Sequence, residues 1–276
     1  MKINTINKEN LVGYWSLAEA DTLNGSVKDL SGNGNDGVIA VTPATFVSDQ
    51  NGVSSQAMSF DGVGTEITEF NPTGFTDKIT ITGWIKYNDN ADYQIMVSND
   101  SYTALEFRTS NSDYLDFYIN GVKDTNTENI LITGNWYFVC GVYDGTNIIT
   151  YVNGLPSAGS AQTGNIPIVA GHWTIGRRYD AGFWNSNTIS DVAIYSSALT
   201  PEQVSQLYKA GRTTAKMKVD ATDLLAGWDF TSGWGTVGAT IIDLNSFSTI
   251  GDGGIYKTSI GTTIGRTYKL VFKATS

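Results

Sequence analysis

One cysteine and one histidine in 276 residues set the first limits on this chain. Cys140 has no second thiol, so no disulfide staples the chain. It sits in the strand-like run Trp136-Tyr-Phe-Val-Cys-Gly-Val-Tyr143, where a thiol reads as a small buried hydrophobe. A catalytic thiol would want a histidine, and the only one, His172, lies in a loop segment that suits a surface or structural place better than a ligand's. Charge is also scarce, at 16% of residues, and acids outnumber bases 27 to 17 for a net charge of −10. A phosphate backbone calls for a basic stripe, so nucleic acid is not an expected partner. No apolar stretch approaches the ~20 residues of a membrane span, so no insertion is expected. The opening MKINTINKEN lacks an apolar core, so no signal peptide is expected either.

What the chain does have is glycine, with 30 copies, and aromatic residues, at 12%. That bias suits many short strands joined by tight turns. Residues 1–10 are polar and read as an arm. Strand runs follow at Leu11–Leu17, Gly37–Val41, Ala57–Phe60, Ile79–Tyr87, Gln94–Ser98, Thr103–Arg108, Tyr114–Ile119, Trp136–Tyr143 and Ile148–Val152. Asn120-Gly121, Asp144-Gly145 and Asn153-Gly154 supply hairpin turns, since these pairs tolerate positive φ. Trp15, Trp84 and Trp136 fall inside strand runs and are expected in the core. One segment has a helical period, Thr200-Pro-Glu-Gln-Val-Ser-Gln-Leu-Tyr-Lys-Ala-Gly211. Thr200 and Gln203 form a capping box, Pro201 suits the first turn, and Gly211 is expected as the C′ stop. Val204, Leu207 and Tyr208 make one apolar face. The pattern predicts an all-β fold, an antiparallel two-sheet sandwich over 11–211 with one late helix. A polar linker over 212–222 leads to a short, partial second β domain over 223–276, with strands at Leu224–Phe230, Ala239–Leu244 and Tyr268–Phe272.

Several motifs in order resemble the laminin-G-like (LamG) jelly rolls of the concanavalin A-like lectin/glucanase superfamily. They are Tyr14-Trp-Ser-Leu17, Asp29-Leu-Ser-Gly-Asn-Gly34, Met58-Ser-Phe-Asp-Gly62, Thr80-Ile-Thr-Gly-Trp84, Tyr143-Asp-Gly145, Tyr151-Val-Asn-Gly154, Thr174-Ile-Gly-Arg177 and Ile189-Ser-Asp-Val-Ala-Ile-Tyr195. The resemblance covers about residues 11–211. The tail from Gly227 to Phe272 is similar, more loosely, to the first strands of a carbohydrate-binding jelly roll. The resemblance implies a scaffold that binds glycans or proteins, often with a structural Ca²⁺; fold alone does not fix function.

The Asp29–Gly37 loop alternates oxygen-bearing side chains at Asp29, Ser31 and Asn33, an arrangement a hard cation prefers. It is not an EF-hand, because position twelve would be Ala40. The resemblance nominates Asp29 and Asp191 as calcium ligands, with Asn33 and Glu19 as further ones. The family usually has His where this chain has Asp36, and an Asx-turn loop with solvated carboxylates is the competing reading. Gly32-Asn-Gly-Asn-Asp-Gly37 spells a dinucleotide fingerprint, but strand-like residues follow it instead of a helix. A sugar site needs flat rings beside hydrogen-bonding side chains. Trp184, Tyr179, Arg178 and Asn185 in the segment 171–187 are the candidates, against a reading in which they pack the loop down. Asp92-Tyr93 and Asn99-Asp-Ser-Tyr102 are expected to rim the same face or another.

Retaining glycosidases need two carboxyls ~5 Å apart. The nearest pair, Glu66-Ile-Thr-Glu69, would point to opposite faces of a strand, and the chain is expected not to be an enzyme. Its expected role is a glycan-binding or assembly module of a virion appendage, a phage's first of all, made in the host cytoplasm. The alternatives are a carbohydrate-binding accessory module of a larger secreted bacterial enzyme or adhesin, which would be extracellular, and a purely structural spacer or decoration domain. Expected partners are a glycan or cell-surface polysaccharide and other virion subunits. Appendage proteins are often homo-oligomers, although no heptad or triple-helix repeat marks this one.

Overall fold

A computed structural model describes residues 8–40, 44–88, 93–127, 130–180 and 182–212, together with the backbone of 256–258 and 269–271. The chain divides into two units, Met1–Ala215 and Lys216–Ser276. In chain order the strands of the first are β1 Leu11–Trp15, β2 Thr22–Leu23, β3 Ser26–Val27, β4 Gly37–Ile39, β5 Thr45–Val47, β6 Ala57–Ser59, β7 Ile67–Thr68, β8 Ile79–Lys86 and β9 Gln94–Asn99. They continue with β10 Leu105–Thr109, β11 Leu115–Ile119, β12 Val122–Asn126, β13 Trp136–Tyr143, β14 Asn147–Val152, β15 Leu155–Pro156, β16 Ser160–Ala161, β17 Trp173–Ile175 and β18 Thr188–Tyr195, before helix α1, Pro201–Gly211.

The strands form two antiparallel sheets, a jelly-roll sandwich. One runs β15-β14-β13-β8-β18-β6-β5, with β1 beside β18 and β16 beside β14. The other runs β12-β11-β10-β9-β17-β7-β4-β3-β2. Side chains alternate between faces, so each strand sorts its residues by sequence parity. Leu105 and Phe107 of β10, Leu115, Phe117 and Ile119 of β11, and Trp173 and Ile175 of β17 enter the inter-sheet core with Ile79, Ile81, Val139 and Ile194. Each such side chain contributes about 1.5–3 kcal/mol by leaving water. Trp15 is fully buried there, whereas Trp136 is only half-buried at the start of β13, short of its expected core position.

The first sheet has a second apolar face, which α1 covers. Val204 and Leu207 pack with Trp84, Phe138, Cys140 and Tyr151. Cys140 is the buried hydrophobe its context indicates, and burial pushes its thiol well up. The capping box at Thr200 and Gln203 is formed in both directions. Gly211 is not the C′ stop: it is the last helical residue and Arg212 is the cap. Glycine is needed there because a Cβ would lie 2.5 Å from the Trp84 ring nitrogen. The carbonyl of Gly211 accepts from the side-chain amides of Gln50 and Asn51, which finish the helix instead.

Asn120-Gly121 and Asn153-Gly154 have positive φ at both residues, as two-residue hairpins require. Asp144 differs, since its carboxylate accepts from the backbone N–H of Thr146 and Asn147 and makes an Asx turn. In the second unit, Tyr256–Thr258 and Lys269–Val271 pair antiparallel. The latter falls within the expected strand Tyr268–Phe272. The strands expected at Leu224–Phe230 and Ala239–Leu244, the arm up to residue 7 and the linker from 213 lie outside the described residues.

Candidate functional site

The outward face of the second sheet departs from ordinary solvent-facing polarity. Parity sends Glu106 and Arg108 of β10, and Asp116 and Tyr118 of β11, to this face, away from the core. Glu106 and Asp116 are nonetheless fully buried and Arg108 nearly so. Antiparallel register places Glu106 opposite Tyr118 and Arg108 opposite Asp116. On the other side, β9 holds Ser98 opposite Glu106, and an extra residue, Met96, interrupts the register between Val97 and Ile95. Such a bulge re-aims the chain next to it.

Residues 176–180 and 182–185 bring Arg178 and Phe183 over this face. Gly176 starts the excursion at φ +90°, and a Cβ there would lie 2.2 Å from the Phe60 ring. The N–H of Arg178 donates to the carbonyl of Phe183, that of Asn185 to the carbonyl of Gly176, and Arg177 bridges to Trp184. Asn185 is buried, with Nδ2 donating 2.6 Å to the carbonyl of Ile95 and Oδ1 accepting from the N–H of Asn187. Its amide is a structural pin, which corrects the expectation that it contacts sugar.

Over the buried charges stands a closed ring of four aromatic side chains and two guanidiniums. The Arg108 guanidinium lies 3.8 Å from the Tyr93 ring centre and 4.7 Å from that of Tyr118. Tyr118 meets Tyr102 edge-on at 6.0 Å. Tyr102 lies 6.0 Å from the Arg178 guanidinium, which is 4.5 Å from the Phe183 ring. Phe183 meets Tyr93 edge-on at 5.8 Å and closes the circle. Each cation over a ring is worth about 0.5–2 kcal/mol.

Glu106 lies at the floor. Its Oε1 accepts from Arg108 Nη1 at 2.5 Å, and its Oε2 is 3.9 Å from Arg178 Nε with no hydrogen-bond partner among the described residues. Burial pushes its carboxyl up, against the pull of Arg108 and Arg178. Arg108 also donates to the Tyr118 hydroxyl at 3.0 Å and pairs with Asp116 at 3.5 Å. Arg178 Nε donates to Asp180 at 2.6 Å, and no described residue bonds its Nη1 or Nη2. Arg177 pairs with Glu66 at 2.9 Å beneath the half-buried Trp184 ring, 4.9 Å from its guanidinium. Tyr179, partly exposed, stacks on His172 at 3.8 Å, and His172 Nδ1 bonds Asp100 at 2.8 Å. With Lys123 beside Asp116, four cations meet the four carboxylates of Glu66, Glu106, Asp116 and Asp180, a balanced patch in a chain of net charge −10.

Of the sugar candidates, Arg178 is a ring member, whereas Trp184 lies over Arg177 and Tyr179 over His172. Tyr93 and Tyr102, expected at a rim, are ring members. Glu106, Arg108, Asp116, Tyr118 and Phe183 were missed by sequence reasoning. Their one signal was the alternation of charge with apolar residues in Leu105-Glu-Phe-Arg-Thr109 and Leu115-Asp-Phe-Tyr-Ile119.

The calcium candidates are not gathered in this way. The Asp29 carboxylate is buried and accepts four hydrogen bonds: from the N–H of Tyr14, the N–H and Oγ of Ser31, and the N–H of Asn35, at 2.8–3.0 Å. Asn33 donates to the carbonyl of Leu11, and Glu19 is exposed in a short 3₁₀ turn. Asp191 sits at a positive-φ bulge in β18 and accepts from the Tyr14 hydroxyl at 2.5 Å, while Asp29 binds that residue's backbone. Burial and Asp191 push the Tyr14 hydroxyl far up. Among the described residues no group of three or more His, Cys, Asp or Glu is placed to hold a metal. Of the nominated residues, Asp29 is engaged by the backbone N–H of Tyr14 and Asp191 by its hydroxyl.

A search of curated protein sequences finds no match. Among solved structures, domain 4 of AbnA, a GH43 extracellular arabinanase from Geobacillus stearothermophilus determined with arabinotriose, is 16% identical at a TM-score of 0.57, covering 72% of this chain and 98% of that one. The binding domain of Paraclostridial Mosquitocidal Protein 1 is 16% identical at 0.57, over 74% of this chain and 52% of that one. The ligand binding domain of botulinum neurotoxin serotype D, in complex with N-acetylneuraminic acid, is 13% identical at 0.56, over 75% and 52%. At these identities the likeness is one of fold, and the chain spans about half of the toxin domains it matches. The laminin-G family model described as the concanavalin A-like lectin/glucanases superfamily matches residues 61–205, more than half of the sequence. By that match, and by the two sheets and late helix that carry it, the chain belongs to the concanavalin A-like lectin/glucanase superfamily.

Proposed function

We propose that this chain is a non-catalytic glycan-binding module that meets its ligand at the aromatic–guanidinium ring on the outward face of the second sheet. The observation that carries the reading is the ring itself. Flat rings for C–H faces stand beside fixed hydrogen-bond donors, the combination that sugars need. Solved neighbours of the same fold hold arabinotriose and N-acetylneuraminic acid, which supports a glycan as the ligand class. Against catalysis, Glu106 and Asp116 both contact Arg108 and both are sealed from solvent. A glycosidase acid must reach the bond it protonates.

The setting we propose is a virion appendage or surface structural protein, a phage's in the first instance. A lone buried thiol and no disulfide are compatible with cytoplasmic synthesis and release in a particle. Calcium at the Asp29 loop is a separable part of the proposal.

A glycan array followed by titration calorimetry tests the reading. Binding of at least one glycan is expected, with tenfold loss in Tyr102→Ala or Phe183→Ala at an unchanged melting temperature and no hydrolysis of the bound glycan. A blank array would sink the glycan reading and favour a structural spacer. Mass spectrometry of purified particles against secreted fractions separates the virion setting from an accessory module of a secreted enzyme.

A further inference from the structure

We infer that the ring takes a carboxylate-bearing sugar, with Arg178 as the residue that decides this preference. The inference rests on the proposed glycan site and names its ligand class. Every other charged group of the ring and its floor is already matched or sealed. Arg108 is held by Glu106, Asp116 and the Tyr118 hydroxyl. Glu106 and Asp116 have no exposed surface. The charged group of the ring with donors still unmatched by described residues is therefore the Arg178 guanidinium. Its Nη1 and Nη2 are unbonded by described residues, and its side chain keeps 14% of its surface open.

That guanidinium is already fixed in place. Phe183 stacks against it at 4.5 Å, Tyr102 flanks it at 6.0 Å, and Nε is tied to Asp180. A planar fork of two N–H donors matches the two oxygens of a carboxylate and forms charge-assisted bonds to both. A neutral diol would offer that fork only uncharged oxygens. Its hydroxyl protons would want an acceptor too; the buried carboxylates of the floor withhold theirs, and the exposed carboxylate beside the fork, Asp180, is engaged by Arg178 Nε. Asp180, exposed on the other side of Nε, supplies a carboxylate of the protein's own. It occupies one edge of the guanidinium and leaves the other for the ligand. The net charge of −10 does not override this local fit, because distant charges are screened within a Debye length of ~8 Å at physiological salt.

The test compares N-acetylneuraminic acid and glucuronic acid with their methyl esters by calorimetry, and adds a neutral glycan panel. At least one acid is expected to bind tenfold or more tightly than its ester. Arg178→Lys keeps the charge and removes the planar fork; it should cut acid binding at least fivefold, and by more than it cuts the binding of any neutral glycan. Asp180→Asn removes a competing carboxylate from an exposed position and should raise acid affinity about threefold. Equal binding of acid and ester, or unchanged acid binding in both variants at a wild-type melting temperature, overturns the inference. If neutral glycans bind at the ring and the acids do not, the acid preference falls while the glycan reading stands. If no sugar of either kind binds, both fall together.

Discussion

Replacing Asp29 with alanine is the most direct probe of what the Asp29–Gly37 loop is for. The carboxylate holds four donors, and only one of them, the N–H of Tyr14, is buried on both sides of the bond. Without Asp29 that N–H is left unsatisfied, at about 1–3 kcal/mol. The N–H and hydroxyl of Ser31 and the N–H of Asn35 are partly exposed and regain water, so each of those losses is nearer ~0.5 kcal/mol. The sum is about 3 kcal/mol, or a fall in Tm of roughly 6–12 °C for a unit of some 200 residues. Asp29→Asn keeps the shape and one acceptor oxygen but turns an amide N–H toward a donor, and should lose about half as much. Urea unfolding followed by tryptophan fluorescence reads both values, with m unchanged because the surface exposed on unfolding is the same. The same measurement is repeated with EDTA. The hydrogen-bond account expects wild-type Tm to stay within a degree of its untreated value. A loss under 0.5 kcal/mol in Asp29→Ala would refute it. So would an EDTA shift as large as the mutation's, because the carboxylate would then be holding a cation.

Two further outcomes follow from other sites. Asp61 is desolvated, which raises its pKa, but the N–H groups of Thr65, Val63 and Gly64 outweigh this and bring it to about 2 from an ordinary 3.8. A depressed acid stabilises fully above its unfolded value and ceases to as pH falls through its folded one. The stability gap between wild type and Asp61→Asn should therefore close from pH 3.8 toward about 2 and stay flat above pH 5, read by urea titration at each pH; a constant gap would show that the carboxylate charge is irrelevant. Gly141 lies on β13 where a Cβ would come within 2.6 Å of the Phe117 ring. Gly141→Ala should destabilise by about 1–3 kcal/mol through overpacking, and a neutral result in urea would mean that the two sheets separate more easily than the packing implies.

The parts of the fold legible in sequence were those fixed by neighbours along the chain. Thr200 and Gln203 are three residues apart, and their box is a local event. The Asn-Gly hairpins depend on two adjacent conformations, and strand parity on alternate residues. The ring depends on register between strands and on a loop that returns from elsewhere. Arg108 finds Asp116 because β10 and β11 pair as they do, and Phe183 reaches Tyr93 across ninety residues. Asn185 sat among the right residues for a sugar site, yet its backbone path turns its amide inward to Ile95. In the Asp29 loop, oxygen atoms at alternate positions looked like metal ligands. The same spacing serves backbone N–H donors equally well, and the donors of Tyr14 and Asn35 come within reach of Asp29 only in the fold.

The loop that Asp29 organises also lies along β1, taking up the carbonyls of Leu11, Val12 and Tyr14 and the N–H of Tyr14 through Asn33, Asn35, Leu30 and Asp29. Exposed strand margins invite neighbouring polypeptides to pair with them and set off aggregation. Here side-chain amides and a carboxylate stand in for a further strand, so this border is finished without offering another molecule a template. Many copies of such a module can be crowded together while β1 stays shut to strand exchange between them.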